Sequence, residues 1–323
     1  MDDERQERRN TYLLYLAFVT LLVLVVGTAL PHMADGSVRE YERRAERDPD
    51  GVHLLGMSPR DLGPENPERA ILFVHGFSGS PTNYNDLPDF VAADGWRVRC
   101  MLLPGHGTSP HEFETTTGDA MLEGVLSELR ALKKTHKHVV LVGHSLGGAL
   151  VTLAAAREPV DALILCAPFF GLEFDEHAPV KLASIADVIA PLVRWLPRPE
   201  NGEPVAFAPN RKFIHSYKWI PAKAGVTAMA LGKRVYDEGA IAKVSCPLLL
   251  LHSRGDHVNS FRASERAFQQ FSTSDKRFAA FEKSDHIIFW DYDRLQTIDE
   301  VRAFLDRHFP ATAPSVLEAL PKQ

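Results

Sequence analysis

The chain has 323 residues, 45% hydrophobic and 24% charged, which is enough apolar material for one large core and too much for a disordered chain. Its formal net charge of −6, with basic residues scattered among acidic ones, excludes the basic footprint of a nucleic-acid binder. Three cysteines, Cys100, Cys166 and Cys246, stand singly beside apolar runs, with neither a Cys-x-x-Cys pair nor a His-Glu-x-x-His helix, so no disulfide framework, metal centre or cofactor is expected.

After a short flank, residues 1–10, the stretch Thr11 to Leu30 carries no charge and is long enough to cross a bilayer as a helix. Tyr12 and Tyr15 suit the interfacial region, and Pro31 closes the stretch. It reads as a single transmembrane anchor, which makes the lipid bilayer a partner through residues 11–30. The rival reading is a cleaved signal peptide ending near Gly27-Thr-Ala29, but the apolar run exceeds the roughly 7–15 residues of a signal h-region. Arg5, Arg8 and Arg9 before the span nearly balance Arg39, Arg43, Arg44 and Arg47 after it, which leaves the orientation open. Residues 31–51 mix acids and bases with few apolar residues, as a solvated spacer or short exposed helix would.

A globular domain is expected over residues 52–310, followed by a tail, 311–323. Ala70 to Gly76 reads as a buried strand, and Ser80-Pro81 as a cap opening a helix through Tyr84, Leu87 and Val91. Trp96 to Leu103 is a second strand, ending at Pro104-Gly-His-Gly107. Met121, Leu122, Val125, Leu129 and Leu132 recur at helical spacing before a strand at Val139 to Val142. Further strands are expected at Asp161 to Pro168, Pro247 to Ser253 and Arg277 to Glu282, with helices at Phe261 to Phe271 and near Thr297 to Phe309. Strands alternating with helices predict an α/β fold, a mainly parallel sheet with helices on both faces and its ligand site at the carboxyl ends of the strands. The stretch from about 171 to 235 departs from the alternation and reads as an inserted cap. There is no internal repeat.

The chemistry gathers around Gly143-His-Ser-Leu-Gly147, where an aliphatic strand runs into an Ala- and Leu-rich helix. A sharp strand-to-helix turn strains the central residue and crowds the positions two either side, which must then lack a Cβ. Gly143 and Gly147 meet that demand, so Ser145 is the candidate nucleophile, with the Leu146 N–H aimed into the same space. A serine hydroxyl needs a base, and the base needs an orienting acid. Asp256 follows one late strand within Arg254-Gly-Asp-His-Val, and His286 follows the next within Lys283-Ser-Asp-His-Ile. Asp285 or Asp291 in place of Asp256, and His252 or His257 in place of His286, are the alternatives; Asp291 and Asp293 resemble caps for the last helix. The second oxyanion donor is expected from His75-Gly-Phe-Ser-Gly79, with the Phe77 N–H the best placed. His106 reads as a structural turn residue.

Together, His75-Gly-Phe-Ser-Gly, Leu103-Pro-Gly-His-Gly, Gly143-His-Ser-Leu-Gly-Gly, Gly255-Asp-His-Val and Ser284-Asp-His resemble the α/β-hydrolases of the carboxylesterase and monoacylglycerol lipase group, also labelled serine aminopeptidase S33-like. The resemblance spans roughly residues 52–310. It implies ester hydrolysis through an acyl-enzyme on Ser145, His286 and Asp256, with the Phe77 and Leu146 amides as oxyanion donors. The amino-terminal span and much of the cap lie outside it.

Within the cap, Ile185, Val188, Ile189, Leu192 and Trp195 recur at helical spacing, with Pro191 expected to kink or divide the helix. Their apolar face is expected to line an acyl pocket or to face the bilayer. Phe77, His144, Ile185, Val188 and Ile189 are the candidate substrate-contacting residues. A cap with an apolar underside on an anchored chain suggests a lipid or other acyl ester as the substrate.

Overall fold

The computed structural model describes residues 34–65 and 67–310. Among the described residues there are nine strands, β1 (Arg60–Leu62), β2 (Arg69–Val74), β3 (Arg97–Met101), β4 (His138–His144), β5 (Ala162–Cys166), β6 (Trp195–Pro197), β7 (Trp219–Pro221), β8 (Leu248–Ser253) and β9 (Lys276–Phe281), and from β2 to β5 and from β8 to β9 they are separated by helices. The helices are α1 (34–44), α2 (Leu87–Ala93), α3 (Pro110–Thr115), α4 (Gly118–Thr135), α5 (Leu146–Ala155), α6 (Glu173–His177), α7 (Ala186–Ile189), α8 (Ala222–Asp237), α9 (Ala240–Lys243), α10 (Phe261–Gln270) and α11 (Arg294–His308). Seven strands form one sheet in the order β1-β3-β2-β4-β5-β8-β9. All neighbours in it are parallel except the short edge strand β1, which runs antiparallel to β3.

The sheet separates two apolar layers, and the period-two alternation of its strands assigns side chains to each. On β4, Val139 and Leu141 face one layer with Leu122, Val125 and Leu129 of α4 and Leu150 of α5. Val140 and Val142 face the other, with Val91, Trp96, Val301 and Leu305. β8 divides the same way, Leu248 and Leu250 to one side and Leu249 and Leu251 to the other. The chain leaves β2 toward β3 and returns to β4 on the opposite side of β2. The carboxyl ends of β2 and β4 therefore bound the crevice where such sheets hold ligands.

Several expectations need correction. The helix expected from Ser80-Pro81 is divided: Ser80 caps a 3-10 turn, Pro81–Tyr84, and α2 starts only after Asn85, which sits at φ 51°. The Asn85 amide is drawn away to donate to the Phe289 carbonyl at 2.9 Å. The cap carries no helix from Ile185 to Trp195. Short α7 ends before Pro191, and Trp195 lies buried on β6, paired antiparallel with β7.

The charged stretch expected to be a solvated spacer contains α1, which docks on the domain. Val38 is fully buried, and His111 lies between two α1 carboxylates, 2.9 Å from Asp35 and 2.8 Å from Glu42. Asp35 also pairs with Arg194 of the cap at 2.8 Å. Long-range polar contacts, with Val38 and Tyr41 packed on the domain, thus hold a segment that is mostly charged. The expected transmembrane stretch, residues 11–30, lies outside the described residues; among those described, no helix is long and apolar enough to cross a membrane.

Candidate active site

β4 ends at His144 and α5 starts at Leu146, so Ser145 alone makes the turn, at φ 53° and ψ −118°. A non-glycine residue held there costs on the order of 1–3 kcal/mol and persists only where the surroundings over-determine it. They do: the Ser145 N–H donates to Cys166 O at 3.0 Å, and its carbonyl accepts from Gly148 and Phe169 N–H, each at 2.9 Å. The flanking glycines are required by space. A Cβ on Gly147 would stand 2.0 Å from Val74 O, and one on Gly143 would stand 2.5 Å from Gly147 O.

Across the crevice, a Cβ on Gly76 would stand 3.0 Å from Ser145 Cβ, a tight contact that glycine avoids as the loop after β2 approaches the serine. The buried His75 ring donates from Nδ1 to Gly76 O at 2.8 Å and accepts the Leu103 N–H at Nε2, 3.0 Å away. Both contacts use the neutral ring, and burial pushes its pKa well down. In a planar trans peptide N–H and C=O point opposite ways, so pinning the Gly76 carbonyl turns the Phe77 N–H away from His75. The Leu146 N–H opens α5, where the helix dipole favours negative charge. Among the described residues neither amide has an acceptor.

Asp256 and His286 follow β8 and β9 and meet at the same edge, Nδ1 to Oδ2, at 2.8 Å. The Asp256 carboxylate is saturated: Oδ1 accepts the Val258 and Asn259 N–H groups, each at 2.8 Å, and Oδ2 also accepts His252 Nε2 at 3.0 Å. Burial pushes this carboxyl up, but the two imidazoles and their hydrogen bonds outweigh it and hold the group well below the usual range. Ser145 Oγ lies 3.4 Å from the Asn259 Nδ2 amide and makes no hydrogen bond to His286 among the described residues. Asn259 Nδ2 donates at 2.8 Å to Ala167 O, which fixes which end of the amide faces the serine.

Of the alternatives, His252 shares the Asp256 carboxylate, and the others are engaged in other contacts. His257 is exposed beside Asp285, whose carboxylate accepts the His257 and His286 N–H groups. Asp291 accepts backbone N–H groups of Ala206, Phe207 and Asp285. Asp293 occupies the N-cap position of α11, yet its side chain turns back to the Lys283 and Ser284 N–H groups and so braces the loop carrying His286 instead of capping the helix. His106 donates to Pro104 O at 3.1 Å and packs on Phe113; burial pushes its pKa down to about 4.

Of the residues expected to contact substrate, Phe77 is half-buried with its ring 5.3 Å from that of Phe113. His144 is buried and donates from Nε2 to His286 O at 3.2 Å, and burial, with the neighbouring His286, pushes its pKa down to about 3. It thus steadies the backbone of His286. Ile185, Val188 and Ile189 stand 39%, 72% and 42% exposed on the cap, on a segment packed against α8 and the turn Leu182–Ser184. Asn259 was not anticipated. Its only sequence signal is its place three residues after Asp256, in the turn that follows β8.

A profile of the family described as serine aminopeptidase, S33, matches residues 65–293. Over 253 residues, 76% of this chain and 93% of its relative, the sequence is 25% identical to the thermostable monoacylglycerol lipase of Bacillus sp. (strain H-257). Over 254 residues, 78% of this chain and 98% of its relative, it is 21% identical to a carboxylesterase of Bacillus subtilis (strain 168). Among solved structures, one from work on the metagenome-derived lipolytic enzymes LipS and LipT superposes with a TM-score of 0.71 at 24% identity, covering 79% of this chain and all of the other. The monoacylglycerol lipase of Paleococcus ferrophilus does so with a TM-score of 0.65 at 22% identity and the same coverage. The protein has the α/β-hydrolase fold and belongs to the serine aminopeptidase S33 family.

Proposed function

We propose that the protein is a serine carboxylic-ester hydrolase, acting on monoacylglycerol-like or related acyl esters and tethered to a lipid bilayer through residues 11–30. The observation that carries the chemistry is the meeting of four separate turns at one sheet edge: the strained Ser145 after β4, the Gly76–Phe77 peptide after β2, and Asp256 after β8 paired at 2.8 Å with His286 after β9. The relatives named monoacylglycerol lipase and carboxylesterase support the same reading.

Ser145 Oγ turns from Asn259 toward His286 Nε2, a bond that forms when substrate arrives. It attacks the ester carbonyl carbon as His286 takes its proton. The carbonyl oxygen, now negative, accepts the Phe77 and Leu146 N–H groups, and Asp256 holds the imidazolium in place. His286 then protonates the departing alcohol oxygen. Water, deprotonated by His286, attacks the acyl carbon, and the proton returns to Ser145 as the acid leaves.

The exposed apolar side chains Ile185, Val188 and Ile189 favour a cap that faces lipid, so substrate enters from the bilayer. A peptidase reading is weaker. Two buried carboxylates are already engaged, Asp256 by four donors and Glu203 by Arg198 and Ser216, so neither offers a free charge to a substrate ammonium.

The discriminating experiment compares nitrophenyl esters of increasing acyl length with amino-acid nitroanilides on one preparation. The proposal expects ester turnover that rises from acetate to medium chains and is lost in Ser145→Ala. Faster nitroanilide cleavage, or turnover restricted to acetate, overturns the substrate assignment.

A further inference from the structure

Asp256 serves two histidines, and the mechanism above uses one. His252 is the fifth residue of β8, wholly buried. Its Nε2 donates to the same carboxylate oxygen, Oδ2, that holds His286, at 3.0 Å against 2.8 Å. Its Nδ1 lies 2.9 Å from the hydroxyl of Ser264, itself fully buried on α10, so both ring nitrogens are satisfied and the ring plane is fixed from two sides. The Phe261 ring meets it edge-on at 5.5 Å. Opposite His252 on β9 stands Ala280, which adds no charge. The ionisable groups facing the shared carboxylate are His286 and, beyond it, His144, whose ring is 4.8 Å from that of His286. Arg254 lies over the Phe261 ring and pairs with Glu282, without contacting the shared carboxylate.

We propose that His252 is a positioning residue: by donating to Asp256 Oδ2 beside His286, it fixes the plane of the carboxylate and limits how strongly that oxygen draws the proton of the catalytic imidazole. This rests on Ser145, His286 and Asp256 acting as described. With His252 gone, Oδ1 keeps its two backbone donors, but Oδ2, in a pocket closed to water, is held by His286 alone and becomes a stronger acceptor for it. Two effects follow on losing His252. The Oδ2 edge is less tightly fixed, so the base is misaimed and kcat falls with KM nearly unchanged. The His286 imidazolium is also held harder, so the acid limb of the kcat/KM profile moves to higher pH.

The test uses the full-length protein in five forms, wild type, His252→Leu, His252→Gln, Ser264→Ala and the Ser145→Ala control, with active sites counted by a fluorophosphonate probe so that unfolded molecules drop out of kcat. The expectation for His252→Leu is a roughly 10–100-fold lower kcat per labelled site and an acid limb displaced upward by about 0.5–1 in pH. His252→Gln, which restores a donor, should recover to within a few-fold. Ser264→Ala leaves the ring but frees its Nδ1 end, and should show a smaller change in the same direction; it carries the test should His252→Leu fail to fold. A kcat per site and a pH limb unchanged in both His252→Leu and Ser264→Ala overturn the proposal, as does a Gln variant as impaired as the Leu variant. Labelling that survives Ser145→Ala would instead overturn the assignment of the nucleophile, which keeps the two failures distinct.

Discussion

Adding one methyl group at two glycines should give opposite results, because the space around them differs. A Cβ on Gly147 would stand 2.0 Å from Val74 O and 2.6 Å from His75 O, more than 1 Å inside van der Waals contact with Val74 O. Both atoms are backbone at the end of β2, so no side chain can rotate away, and α5 must part from β2. Overpacking of this kind costs about 3 kcal/mol, a loss of roughly 6 °C in Tm for a chain of this size. The same separation pulls Leu146 and Ser145 from the Gly76–Phe77 peptide, and a displacement of ~1 Å costs about 10²-fold in kcat. At Gly225, inside α8, nothing lies within 4 Å of an added Cβ. There the methyl group only lowers the entropy of the unfolded chain, and Gly225→Ala should gain about 0.5–1 kcal/mol with activity unchanged. Paired thermal melts and ester hydrolysis check both. Wild-type activity and Tm in Gly147→Ala would refute the argument that the elbow is sterically closed, as would equal losses in the two variants.

The α1 clasp should open in acid. Burial pushes the Asp35 carboxyl up, but hydrogen bonds from His111 and Arg39 and the Arg194 charge outweigh it and lower the group from 3.8 to about 2. Glu42, against burial, is lowered from 4.5 by Ser109 and His111. Carboxyls lowered on folding add stability above their unfolded values and lose it as pH falls toward the folded ones. Hydrogen exchange in residues 34–44 should therefore accelerate relative to α5 between about pH 4.5 and 2; equal protection across that range would contradict the clasp. Asn259→Ala, which removes the amide beside Ser145 Oγ and leaves Ala167 O unpaired, should cost about 1–3 kcal/mol of stability, read by urea melts. For the anchor, alkaline carbonate should leave the full-length protein in the membrane pellet, and its release would rule out a spanning helix.

Strands β2, β4, β5 and β8 were legible because they are near-continuous aliphatic runs, a local signal that needs no partner. Ser145 and Asp256 follow such runs; His286 follows the mixed strand β9 and was legible from its place after the last strand and from chain order. The rest depends on distant partners. α1 reads as a solvated stretch until His111 and Arg194, far along the chain, engage its acids. Trp195 fits a helical spacing but is captured by β6, where its indole donates to Asp35 Oδ1 at 3.3 Å. His252 entered the sequence reading only as a competing base; that it shares the acid with His286 depends on how β8 turns into the loop at Gly255. Asn259 carries no motif at all, and its approach to Ser145 follows from the strained carbonyl of Ala167, at φ 43°.

The most direct measurement of the central claim is mass-spectrometric mapping of the residue modified by a fluorophosphonate on the full-length protein. One adduct on Ser145, lost in Ser145→Ala and slowed by orders of magnitude in His286→Ala, is the result expected. An unlabelled protein, or an adduct on another serine, would contradict it.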